Sequence, residues 1–221
     1  VLTSTFGTPI LVQVFFLLTL INCLIENNLT EYCGRFFLTR KICTGRPWLL
    51  TFFIMLGCML MGAFMGGFTP VFLFWPILYD IFETVGMKPY EKYPTIMVIL
   101  VIVATLLGFP IPPFMGNGLA LISNYRTVTG NMGQEVIIND AGYLIVGLVH
   151  ATVCIVLIIL FCKFILRPDT SRLKSITPEL LDRNPLPPMT FRQKFIGISF
   201  AVFICILLIP SVAPSTALGA Y

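Results

Sequence analysis

The chain has 221 residues, 57% of them hydrophobic and 11% charged, with a formal net charge of +4. An ordinary soluble domain carries about 45–50% apolar and 25% charged residues, so too little polar surface remains here to cover a water-facing globule. The same balance excludes a disordered chain, and 17 Gly and 16 Pro without a period exclude a collagen-like one.

The charges fall in four patches, 26–46, 80–92, 126–140 and 163–194, and leave charge-free stretches at 1–25, 47–79, 93–125, 141–162 and 195–221. A crossing of about 30 Å of hydrocarbon needs roughly 20 apolar residues, and every stretch is long enough. A soluble bundle would carry charge every few residues along its outer faces. The predicted fold class is all-α, a polytopic membrane protein of the multi-pass cell-membrane type.

In chain order, residues 1–25 are expected to form a first transmembrane helix, from about Pro9 to Ile25, that serves as its own insertion signal. Gln13 and Asn22 on it are read as helix–helix hydrogen-bonding groups. In the 26–46 patch, Leu29, Tyr32, Cys33, Phe36 and Phe37 recur at roughly helical spacing among Arg35, Arg40 and Lys41. That pattern predicts an amphipathic helix on the cytoplasmic surface.

Stretch 47–79 is too long for a simple span, since a continuous helix of its length would measure about 50 Å. Its middle, Met65-Gly66-Gly67-Phe68-Thr69-Pro70, is a strong helix interruption. The arm that follows, Val71 to Phe82, would rise about 18 Å, too short to cross. Residues 47–82 are therefore read as a re-entrant helical hairpin opening to the cytoplasm.

Charge parity demands the same thing. Patches 26–46 and 163–194 hold most of the Lys and Arg, so the positive-inside rule places both in the cytoplasm. Three simple crossings between them would separate them; one returning stretch restores the balance. Patch 80–92 is then cytoplasmic and patch 126–140 external.

Residues 93–125 are expected to form a broken transmembrane helix. Its apolar run from Pro94 to Leu107 meets Gly108-Phe109-Pro110-Ile111-Pro112-Pro113-Phe114-Met115-Gly116-Asn117-Gly118, and three Pro with three Gly cannot continue a regular helix. Backbone freed in this way must be buried in protein or line a wet cavity, and two such segments in apolar stretches are the sequence sign of a transporter site. A pair of packing kinks is the plainer alternative. Residues 141–166 are read as a transmembrane helix, 167–194 as a Pro-rich cytoplasmic linker, and 195–210 as a last span ending at Pro210.

No phosphate loop, nucleophile elbow or His-Glu-x-x-His pair occurs, and an enzyme is not expected. The single histidine, His150, lies within an apolar stretch and is read as a packed, hydrogen-bonded residue before a proton relay. The seven Cys form no Cys-x-x-Cys pair, so neither a disulfide framework nor a zinc site is expected. The charge layout calls for no nucleic-acid partner; the lipid bilayer is the expected one.

With surface helix (Leu29 to Lys41), Gly45-Arg46-Pro47-Trp48-Leu49-Leu50, interrupted hairpin (Ala63 to Ile77) and broken helix in this order, the chain resembles the divalent-anion/sodium symporters of the ion transporter superfamily. These are secondary carriers of dicarboxylates, citrate or sulfate. The resemblance covers most of the chain as its N-terminal repeat, and rests on loose patterns. It implies a small anionic substrate, sodium as a coupling ion with protons as the alternative, and no other cofactor or metal.

In the family a Ser-Asn-Thr motif at the hairpin tip binds sodium and substrate carboxylate. The matching tip here is Gly66-Gly67-Phe68 followed by Thr69, which lacks the Ser and Asn side-chain ligands and leaves backbone groups and the Thr69 hydroxyl. The broken-helix match adds Pro112, Pro113, Gly116, Asn117 and Gly118. These nine residues are the candidate substrate and ion site. One hairpin and one broken helix make a single repeat, so the chain is expected to be a fragment whose partner is the second repeat of the carrier, with a homodimer as a further assembly. A non-transporting scaffold or accessory subunit that keeps the fold is the alternative function.

Overall fold

The computed structural model describes residues 9–38, 45–65, 68–133, 138–175 and 187–212. Among them the chain is all-helical. The helices are α1 (Pro9–Glu26), α2 (Leu29–Leu38), α3 (Pro47–Met65), α4 (Thr69–Thr84), α5 (Lys92–Gly108), α6 (Gly116–Asn131), α7 (Asp140–Phe161) and α8 (Phe191–Val212). A π-turn, Cys162–Leu166, extends α7, and a short 3-10 helix follows at Ser171–Ser175.

Three segments are long and apolar enough to cross a membrane: Pro47–Met65, Asp140–Leu166 and Phe191–Ile209. Val14–Glu26 and Lys92–Gly108 are shorter apolar helices. This is the makeup of a membrane protein.

Contacts divide the chain into two compact units. One contains residues 30–109 and 148–188. Its centre is α3, which packs against α4 and α5, while α4 also packs against α5. Ile54, Met55, Cys58 and Met59 of α3 and Met97, Val101 and Ala104 of α5 are at most 1% exposed. Their three- and four-residue spacing is that of one helical face.

α3 and α5 approach closely because small residues line the seam. A Cβ on Gly62 would lie 2.7 Å from the Thr105 carbonyl oxygen, and one on Gly108 would overlap the Met59 carbonyl oxygen. Thr105 satisfies its own buried hydroxyl on the Val101 carbonyl at 2.8 Å. Phe74, Leu78 and Phe82 complete the core from α4, and α2 lies against it through Gly34, whose Cβ would come 2.7 Å from Leu73.

In the same unit, Ala151, Ile155, Ile159 and Cys162 are buried while Val153, Val156, Leu157 and Leu160 are exposed. The chain beyond them is tied down by Arg172, whose Nη1 donates to the Gly86 carbonyl at 2.8 Å and to Glu91 Oε1 at 3.1 Å.

The other unit contains residues 1–29, 110–147 and 189–221. There α1 packs on α8. Leu17, Ile21 and Leu24 form the buried stripe of α1, and Gln193 Nε2 donates to the Asn27 carbonyl at 2.9 Å. Asn22 is exposed, and the Gln13 side chain lies outside the described residues.

Several helix boundaries differ from the sequence-based expectation, and α8 begins at Phe191, inside the predicted 167–194 linker. α4 has 16 residues where the sequence predicts an arm of 12, because Pro70 sits in its first turn, where the missing N–H costs nothing. α6 continues past Arg126 to Asn131, because a charge does not end a helix; the chain turns at Gly133, with φ 71. α8 runs through Pro210 to Val212. Proline in an apolar helix is tolerated when the freed groups find partners, and α4 likewise contains Pro76.

Candidate functional site

α3 ends at Met65 and α4 begins at Thr69; Gly66 and Gly67, in the predicted interruption, lie outside the described residues. Phe68 is the N-cap of α4, half exposed and without a side-chain cap bond; its carbonyl accepts the Val71 amide at 2.9 Å. Its ring meets Phe109 edge-to-face, with centroids 6.0 Å apart. Thr69 begins the helix and is partly buried. No side chain caps this end; Pro70 has no N–H and the Val71 amide pairs with the Phe68 carbonyl, so Thr69 supplies the first-turn amide at the positive end of the helix dipole.

Phe68 and Thr69 belong to one unit, and Pro112, Pro113, Gly116, Asn117 and Gly118 to the other. The latter five lie in a single turn. Between α5 and α6 the chain is non-helical, yet Ile111, Pro112, Pro113, Phe114 and Met115 are all buried. Met115 is extended, with φ −153 and ψ 162, and caps α6 without a side-chain bond.

Two glycines make this turn possible. Gly116 adopts φ 54, a left-handed conformation that costs glycine little. Gly118 is pressed against the turn's own carbonyls: a Cβ would overlap Pro112 O and come 2.8 Å from Pro110 O. Asn117 between them is exposed. The Pro110 carbonyl accepts the Tyr143 hydroxyl at 2.9 Å, and Ile111 packs on Gly147 of the first α7 turns. Carbonyls withdrawn from helical pairing and a free amide side chain are oxygen donors, the chemistry that suits a hard cation.

Tyr143 escapes a reading of the sequence because its role depends on a partner 33 residues away. Its position in the first turn of an apolar span is the one signal available. Arg126 escapes likewise. With Leu119, Ile122, Ser123 and Thr127 it lines a groove of about 280 Å³ on α6. Its Nη2 lies 3.5 Å from Asp140 Oδ1 and 3.4 Å from the Ile138 carbonyl. With half of the guanidinium exposed, the ion pair contributes about 0–1 kcal/mol.

His150 is exposed on α7, its Nε2 3.6 Å from Cys154 Sγ one turn on. Among the described residues no three His, Cys, Asp or Glu side chains converge as a metal site. Compared with protein-family models, curated proteins and solved structures, the chain matches none.

Proposed function

We propose that this chain is part of a secondary active transporter that moves a small organic or inorganic anion across the cell membrane, coupled to sodium or protons. The observation that carries the reading is the buried, non-helical run at 111–115, set between two helices of a strongly apolar chain. Irregular backbone at membrane depth persists only where protein or a wet cavity surrounds it, and carriers place their sites there.

In this reading α3 and α4 are the arms of a re-entrant hairpin. Most of α3 is buried within the protein, as suits an arm enclosed by other helices rather than a lipid-facing span. At 16 residues, α4 rises about 24 Å, short of the hydrocarbon thickness. Thr69 offers an amide and a hydroxyl at the start of α4 for an anion, and, separately, the 110–118 turn of the other unit offers carbonyls for a coupling cation. Transport in this reading also requires the second repeat of the carrier.

The test is uptake of labelled succinate, citrate and sulfate into vesicles carrying the complete native polypeptide, with sodium and pH gradients varied separately. Gly67→Val is expected to abolish uptake with insertion nearly intact, and Thr69→Ala and Asn117→Ala to weaken ion dependence. Wild-type rates in all three variants would favour a scaffold or accessory subunit, for which the Gly66-Gly67-Phe68 tip is the specific support.

A further inference from the structure

The far end of α7 holds two cations beside exposed apolar side chains. After Phe161 the helix widens into the π-turn, and the Arg167 amide reaches back five residues to the Cys162 carbonyl at 3.0 Å. Arg167 itself adopts φ 44 and ψ 56, a left-handed conformation unusual for a residue with a Cβ. Its Nε donates to the Phe164 carbonyl at 2.8 Å, which anchors the guanidinium and leaves both terminal nitrogens without a partner among the described residues. π-turns and strained residues concentrate at functional positions.

Lys163 lies one turn earlier, its Nζ 5.5 Å from the centroid of the Phe164 ring. Neither it nor Arg167 has a carboxylate partner among the described residues. On the same helical face, Leu160 and Val156, three and seven residues before Lys163, are 42% and 41% exposed, and Phe164 is 59% exposed. The apolar segment Asp140–Leu166 has 27 residues and rises about 40 Å as a helix, so its basic end reaches past a hydrocarbon core of about 30 Å into the headgroups.

We propose that Lys163 and Arg167 hold the phosphate of an anionic phospholipid whose acyl chains lie along Leu160 and Val156. The free edge of the guanidinium matches two phosphate oxygens, and the ammonium supplies a point charge beside it. The carbonyl end of α7 favours cations at this position. Such a site depends on α7 meeting the bilayer and not on transport, so it stands or falls separately from uptake.

The experiment places a reporter at the turn. Phe164→Trp is added to the full chain in vesicles containing brominated phosphatidylglycerol or brominated phosphatidylcholine, and quenching is read as the increment over the protein with only Trp48 and Trp75. The anionic lipid is expected to quench preferentially. Lys163→Gln and Arg167→Gly are each expected to reduce that preference about fivefold. Glycine keeps the left-handed turn while removing the charge, and Arg167→Lys should retain most of the preference. Lys88→Gln, an equal charge loss elsewhere, should leave it unchanged. Equal quenching by the two lipids, an undiminished preference in the Lys163→Gln/Arg167→Gly double variant, or an equal drop in Lys88→Gln would overturn the site.

Discussion

The α-carbon of Gly108 rests directly on the backbone of Met59. A Cβ at this position would overlap the Met59 carbonyl oxygen and lie 2.8 Å from the Ala63 nitrogen. Both obstacles are main chain in α3, so neither can rotate aside. Gly62 meets the Thr105 carbonyl in the same seam, one turn away along α5. The two helices are thus joined by a glycine from each side, the close approach that membrane helices use in place of a hydrophobic driving force.

Gly108→Ala is accordingly expected to destabilise the protein by about 2–3 kcal/mol, because the seam must open along its length. Gly130→Ala is the matched control. Gly130 lies in α6, where an added Cβ would meet nothing within 4 Å, so alanine there should gain up to about 1 kcal/mol. Thermal unfolding of both variants in the same detergent checks the ordering. Equal behaviour would mean that α3 and α5 do not meet through Gly108.

A second expectation concerns the buried pair Thr51 and Tyr93, whose hydroxyls lie 2.8 Å apart. The Thr51 hydroxyl donates to the Pro47 carbonyl at 3.0 Å, so its proton is committed and Tyr93 is the donor between them. Tyr93→Phe removes one bond and leaves Thr51 satisfied, at a cost of about 1 kcal/mol. Thr51→Val strands the Tyr93 hydroxyl and should cost more, about 1–3 kcal/mol. The double variant should recover part of that difference in a double-mutant cycle.

Membrane sidedness follows from Arg172. A bilayer cannot stand between groups 3.1 Å apart, so the loop holding Glu91 and the segment holding Arg172 share one face. Lys88→Cys and Ser171→Cys, in a background cleared of the seven native cysteines, are expected to react with an impermeant maleimide from the same side. Asn131→Cys is expected to react from the other. Opposite labelling of positions 88 and 171 would exclude the re-entrant reading of 47–82.

Cys33 supplies a pH expectation. Burial pushes its thiol above the usual range. Desolvation favours the neutral form, so the thiolate fraction at neutral pH is smaller than for an exposed cysteine, and alkylation is slower. The rate of iodoacetamide modification at Cys33 should rise with pH through a midpoint above that of an engineered cysteine at position 88. A midpoint at or below it would place Cys33 in water.

The non-helical stretch between α5 and α6 is legible in the sequence because Pro and Gly act locally. Pro110, Pro112 and Pro113 mark it without reference to any partner. The apolar spans are legible for a similar reason, since charge avoidance is written along the chain. Pro210 and Pro76 show where that reading fails: a proline late in a helix, or one in an enclosed arm, removes a single bond and need not end the element. What stays hidden is pairwise. Nothing in the sequence sets Gly62 opposite Thr105, Arg172 against Glu91 or Tyr143 under Pro110, because each depends on register between distant segments. For the candidate site, the 110–118 turn is visible as composition, but the pressing of Gly118 onto the Pro112 carbonyl is not.

The α3–α5 seam has a consequence for how this protein can change over generations. Where two helices meet through carbonyls and α-carbons, the distance between their axes is set by the main chain and is indifferent to side-chain chemistry on either flank. Residues facing away from the seam are then free to drift in size and polarity without shifting the scaffold. Bulk at Gly62 or Gly108 is not free, since any added atom must push whole helices apart. Tolerance to substitution should therefore be sharply uneven along these two helices, with narrow positions one turn apart set in otherwise permissive stretches.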